Sequence, residues 1–128
     1  MEKRRIAVRR AALAVALLLP CAAPLACELP AGAQVKGKQV AASFRTEPAQ
    51  IKVGQQFVLL FSACPAPASV RLDAHMPEHR HGMNYKPSVK ALAPGSFRSE
   101  GWLFHMPGRW EFVFELGGER LTHSVRID

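Results

Sequence analysis

The feature that most constrains the fold is a strict two-residue rhythm late in the chain. Trp110, Phe112, Phe114 and Leu116 fall on alternate positions, with Glu111 and Glu115 between them. In an extended segment successive side chains point to opposite sides. This stretch is therefore an amphipathic strand with one aromatic face and one charged face. A helix of 3.6 residues per turn would scatter the same residues around its surface. No stretch after residue 26 repeats its apolar residues at helical spacing, so the chain reads as all-β.

The rhythm recurs along the chain. Val40, Ala42 and Phe44 alternate with more polar neighbours up to the breaker Glu47-Pro48. Val53-Gly54-Gln55 reads as a turn. Residues 57–63 form a continuous apolar run of strand length, closed by Cys64-Pro65. Val70, Leu72, Ala74 and Met76 alternate with Arg71, Asp73 and His75. Residues 88–93 make a further short strand before the Pro94-Gly95 turn. Residues 96–104 make another, with Gly101 expected to mark a bulge. Gly117-Gly118 signals a hairpin, and Leu121, Val125 and Ile127 finish the series. About seven short strands separated by Pro/Gly turns predict an immunoglobulin-like antiparallel β-sandwich. Residues 39–128 are assigned to it. Residues 27–38, small and polar with Gly32 and Gly37, read as a mobile lead-in.

The first 26 residues have a different character. Lys3, Arg4, Arg5, Arg9 and Arg10 precede an apolar run over residues 11–19, followed by small residues and prolines. That order predicts a secretory signal peptide over residues 1–26 and a periplasmic or otherwise exported protein. An uncleaved anchor is the competing reading, against which the short run, Pro20 and Pro24 count. Cleavage removes five of the 17 basic and one of the 10 acidic residues, so the net charge falls from +7 to +3. A mild positive balance without a basic stripe is not a nucleic-acid footprint. Cys21 leaves with the signal, and Cys27 and Cys64 remain as an even pair. In an oxidising compartment this predicts a disulfide, worth roughly 2–4 kcal/mol. In the competing reading Cys27 is a lipidated first residue. Pro24 stands where a lipoprotein signal usually has Leu, and Cys64 would then lack a partner.

Chemistry concentrates in two loops. Residues 75–83 hold three of the five histidines and two of the four methionines, in His75-Met76-Pro77-Glu78-His79-Arg80-His81-Gly82-Met83. A shorter echo follows at Phe104-His105-Met106-Pro107-Gly108. Imidazole nitrogens and thioether sulfurs are ligands for soft and borderline metals, copper above all. Thioethers favour Cu(I), while imidazoles also take Cu(II). Neither loop contains cysteine, which argues against structural zinc. The candidate ligands are Met76, His79, His81, Met83, His105 and Met106, and antiparallel strands can bring the two loops to one end. The bland reading stays open beside this one. Gly82 would supply a positive φ in a turn, the imidazoles would bond backbone groups, and the methionines would fill the end of the core. His123 shares a face with Leu121, Val125 and Ile127 and reads as a core histidine; Trp102 and Trp110, which flank the second loop, read as core aromatics, with an indole over a Cu(I) site as the lesser alternative. Asp73 and Glu78 read as solvated carboxylates, and no catalytic nucleophile arrangement or phosphate loop is present.

The run Asp73-Ala74-His75-Met76-Pro77-Glu78-His79-Arg80-His81-Gly82-Met83-Asn84-Tyr85-Lys86-Pro87, with the later Gly101-Trp102-Leu103-Phe104-His105-Met106-Pro107-Gly108-Arg109-Trp110, resembles the YtkA-like group of small exported bacterial domains, relatives of the FixH-like proteins. The resemblance spans about residues 40–127. It implies a β-sandwich outside the cytoplasm that handles copper or helps to assemble copper and haem enzymes. Its implied partner is such an enzyme or another copper carrier. FixH-like proteins carry a true membrane anchor, where this chain has a signal-like N-terminus. A metal-free interaction or assembly module is the alternative expectation.

Overall fold

The computed structural model describes residues 27–128. The signal-peptide expectation, Cys21 included, lies outside them. The described residues form no helix. They form nine strands: β1 (Ala33–Lys36), β2 (Ala41–Glu47), β3 (Phe57–Cys64), β4 (Val70–Met76), β5 (His81–Gly82), β6 (Lys90–Ala93), β7 (Ser96–Trp102), β8 (Gly108–Leu116) and β9 (Glu119–Ile127). One sheet runs β1-β2-β3-β7-β6 and the other β5-β4-β8-β9, antiparallel throughout. The order β2-β3-β7-β6 against β4-β8-β9 is the ABED and CFG division of an immunoglobulin-type sandwich. The all-β, antiparallel sandwich expected from the alternation is what the chain forms.

Two strands were not expected. Residues 33–36 pair in register with β2 from Ala33↔Phe44 to Lys36↔Ala41, so the lead-in expectation is corrected: this segment is an edge strand that buries Val35. β5 is a two-residue strand made by the turn before it. The expected bulge is present. Phe57 faces Trp102 and Leu59 faces Ser99, which leaves one extra residue on β7 beside Gly101, whose φ is +88°.

The core explains the alternation. All seven phenylalanines and both tryptophans are buried between the sheets. β3 alternates buried and half-buried residues along its whole length. Complete burial of such a side chain contributes roughly 1.5–3 kcal/mol. β8 carries Trp110, Phe112, Phe114 and Leu116 inward, as its pattern predicts.

The sandwich has two distinct ends. At one, Cys64 pairs with Ala41, Val70 with Leu116, and Gly117-Gly118 turns the chain with both φ values positive. Cys27 is disulfide-bonded to Cys64 there, with Cα atoms 5.8 Å apart. At the other end, Phe57 pairs with Trp102, Met76 with His81 and Gly108 with Ile127. Both His/Met loops emerge at that second end.

Candidate metal centre

The first loop is a tight reversal. The Met76 carbonyl accepts the backbone N–H of His79 at 3.2 Å and of Arg80 at 2.9 Å. Arg80 turns the chain back with φ +54°, the left-handed region. The positive φ expected at Gly82 thus falls at Arg80. Glycine is fitted to position 82 for a different reason: a Cβ there would lie 3.3 Å from the Ala74 carbonyl oxygen. His81 then faces Met76 across β4 and β5, and the Met83 N–H reaches the Ala74 carbonyl at 3.3 Å. Directly opposed residues share a face, so His81 lies on the inner side of the sheet with Met76.

The second loop, residues 103–107, is pinned on both sides of His105. The Gly54 N–H donates to the Phe104 carbonyl at 2.8 Å. The Trp110 indole N–H donates to the Met106 carbonyl at 3.0 Å. The Phe104 ring stacks on Trp110 with centroids 4.4 Å apart. Phe104 and Trp110 are buried while His105, between the pinned carbonyls, is exposed.

These two loops bring three imidazoles together. His81 lies 5.8 Å from His79 and 5.2 Å from His105, centroid to centroid. With a metal–nitrogen bond of about 2.0 Å, two imidazoles sharing an ion sit roughly 5–6 Å apart by centroid. His81 has its Nδ1 3.2 Å from the Gly82 carbonyl. A carbonyl only accepts, so Nδ1 is the donor in this bond and Nε2 is the nitrogen left to face a metal. Among the described residues, no three His, Cys, Asp or Glu side chains are already grouped around one point as an ion needs. Closing a ligand set here therefore takes a thioether or a side-chain rotation. Met83 and Met106, half-buried against the core, are the thioethers at hand.

Met76 has a different place from the other five candidates. It is 1% exposed, inside the core, and its Cε fills the space a side chain at Gly108 would need. The structure thus brings His79, His81 and His105 together, leaves Met83 and Met106 half-buried against the core, and places Met76 inside the core. His75 points to the outer face and approaches Glu111 at 3.6 Å. His123 packs edge-on against Phe44 at 5.0 Å, as a core histidine would. Glu78 does not stand alone: Arg109 binds it at 3.1 Å and extends to the Ser124 hydroxyl at 3.4 Å, tying the hairpin tip to β8 and β9. Glu78 and Arg109 are exposed enough that their pair contributes at most about 1 kcal/mol, so its use is placement. Sequence reasoning left one feature of this site as a lesser alternative and missed another. Trp110 touches His81 and His105, at 6.0 and 5.5 Å. Gly108 makes room for Met76. The only hint was that both residues border the second loop.

Compared with known proteins, the chain matches no family model, no curated protein and no solved structure.

Proposed function

We propose that this is an exported, non-enzymatic β-sandwich that binds copper at its histidine end and carries or buffers the metal. The observation that supports the reading is the convergence of three imidazoles from loops more than twenty residues apart, with the half-buried Met83 and Met106 on the same two loops. Imidazole serves both copper oxidation states, and a thioether is a neutral, soft donor that serves Cu(I). The signal-like residues 1–26 support export, and the motifs shared with YtkA-like domains point the same way. A copper or haem enzyme, or another copper carrier, is the partner class this reading implies.

A second reading keeps the fold and drops the metal: the same hairpin docks a partner protein. The observation in its favour is Tyr85, 58% exposed just beyond the hairpin, because exposed tyrosine is a common interface anchor. Competition titrations with Cu(I) and Cu(II) on the parent, Met83→Ala and His81→Ala separate the two. We expect His81→Ala to weaken both ions by about 10–100-fold and Met83→Ala to weaken Cu(I) alone by about tenfold. If both variants lose thermal stability without metal and neither alters metal retention, the loop is a packing device and the copper reading falls.

A further inference from the structure

Trp110 is more than a core aromatic. One partner of its indole is Phe104, stacked at 4.4 Å with planes 11° apart. The others are His81 and His105, whose planes stand at 71° and 80° to the indole. The three ring centroids of His81, His105 and Trp110 are 5.2, 5.5 and 6.0 Å apart, nearly an equilateral triangle. The centre of that triangle lies about 3.2 Å from each centroid, the depth at which an imidazole holds an ion through one nitrogen. The same distance is well inside the reach of a cation–π contact, within about 6 Å of the ring.

We infer that the Trp110 indole is a direct contact of the bound ion, and that with His81, His105 and a thioether from Met83 or Met106 it makes the site selective for soft monovalent cations, Cu(I) and Ag(I). This rests on the copper-binding reading and adds the ligand class. The physical reason is the balance of solvation. A monovalent soft ion sheds water readily and gains from the negative face of an aromatic ring. A divalent ion asks for further nitrogen or oxygen donors, which a ring does not supply. Here the ring occupies a coordination direction that water or a carboxylate would otherwise take. The indole is also immobile, since it is fully buried and its N–H is committed to the Met106 carbonyl. The contact therefore costs no ordering when the ion arrives.

The test uses Ag(I), which needs no reductant and so leaves the Cys27–Cys64 disulfide intact. The disulfide-bonded protein is titrated with Ag(I) and separately with Cu(II), while near-ultraviolet absorbance and tryptophan fluorescence are followed. Expected is a one-to-one Ag(I) complex with a perturbed indole absorption band. Trp102 is buried beside Phe57 and Phe112 and bonded to Ser99, which points to Trp110 as the reporter. Trp110→Phe also removes the N–H that pins the Met106 carbonyl, so both ions should weaken, with Ag(I) losing about tenfold more affinity than Cu(II). Tight Ag(I) binding with an unchanged indole spectrum overturns the indole contact and leaves the copper reading standing. Equal losses for Ag(I) and Cu(II) in folded Trp110→Phe also overturn it, because the ring then only places the histidines. Failure of the parent protein to bind Ag(I), Cu(I) or Cu(II) overturns the inference and the copper reading together. Should Trp110→Phe fail to fold, the parent spectrum decides alone.

Discussion

The two ends of this sandwich are closed by opposite means. At the disulfide end, reactive and charged groups are consumed by the protein itself. Cys27 and Cys64 are joined, and the Glu119 carboxylate accepts the backbone N–H groups of Lys38 and Gln39. At the histidine end, the chain reverses on backbone bonds to the Met76, Ala74 and Phe104 carbonyls, helped by the Trp110 indole and the Arg109 guanidinium, and among the described residues no imidazole or thioether is used to hold the loops. The side chains above those bonds keep donor atoms toward solvent. Among the described residues, one imidazole bond is formed there, from His81 to Gly82. The same two sheets can thus carry a locked end and a donor-bearing end, because the core between them already fixes both. The difference also predicts that the ends respond separately to mutation.

The largest effect should come from the locked end. Cys27 and Cys64 are 37 residues apart, and closing a loop of that length is worth about 4 kcal/mol in the chain-entropy account. The double variant Cys27→Ser/Cys64→Ser should lose that much in chemical denaturation and still bind copper as the parent does while folded. Copper affinity falling along with stability would break the separation of the two ends.

A smaller effect is expected under the donor-bearing end. Gly108 has φ +131°, and a Cβ there would lie 2.6 Å from Met76 Cε. Met76 is a flexible side chain, but it is buried and has little room to withdraw. Gly108→Ala should therefore cost about 1–3 kcal/mol through overpacking and backbone strain. Because β8 leads directly to Trp110 and β4 directly to the hairpin, copper retention should fall too, in contrast to the disulfide variant. A stability loss with unaltered copper binding would show that the cluster tolerates shifts in the packing below it.

The strands were legible where burial imposes a period. β3 buries alternate residues over eight positions and β8 does so from Trp110 to Leu116, with Val113 buried as well, and their patterns are visible in the sequence. β1 has one buried residue, Val35, and β5 has two residues in all, so neither contains a period to read. Those strands exist because a partner strand is present, which is a tertiary fact. The site divides in the same way. His79, His81, Met83, His105 and Met106 could be named from their chemistry, but their grouping depends on the Met76↔His81 register and on the bonds that pin Phe104 and Met106. Met76 borders the loop and so shares its chemistry on paper. Its place in the series Val70, Leu72, Ala74, Met76 was the better guide, since that series points inward.

The locked end also carries a small pH-dependent contribution to stability. The Glu119 carboxyl is held below its ordinary 4.5, first by the Gln39 N–H and then by the Lys38 N–H, with partial desolvation opposing them. These donors favour the charged form, so the folded protein binds this proton less readily than the unfolded chain. The carboxylate therefore adds stability that is complete above about pH 4.5 and is lost as pH falls through the lowered value of the folded state. Glu119→Gln cannot ionise, and it keeps one carbonyl oxygen to accept one of the two N–H groups. The parent should thus be the more stable of the two at pH 7. The gap in denaturant midpoint should narrow steadily as the pH is taken from 5 towards 3. Cu(II) affinity at pH 7 should be the same in both proteins, because Glu119 stands at the opposite end from the histidines. A stability gap independent of pH would mean that the carboxylate acts by shape rather than by charge. A change in copper affinity at pH 7 would mean that the two ends are coupled through the sheets.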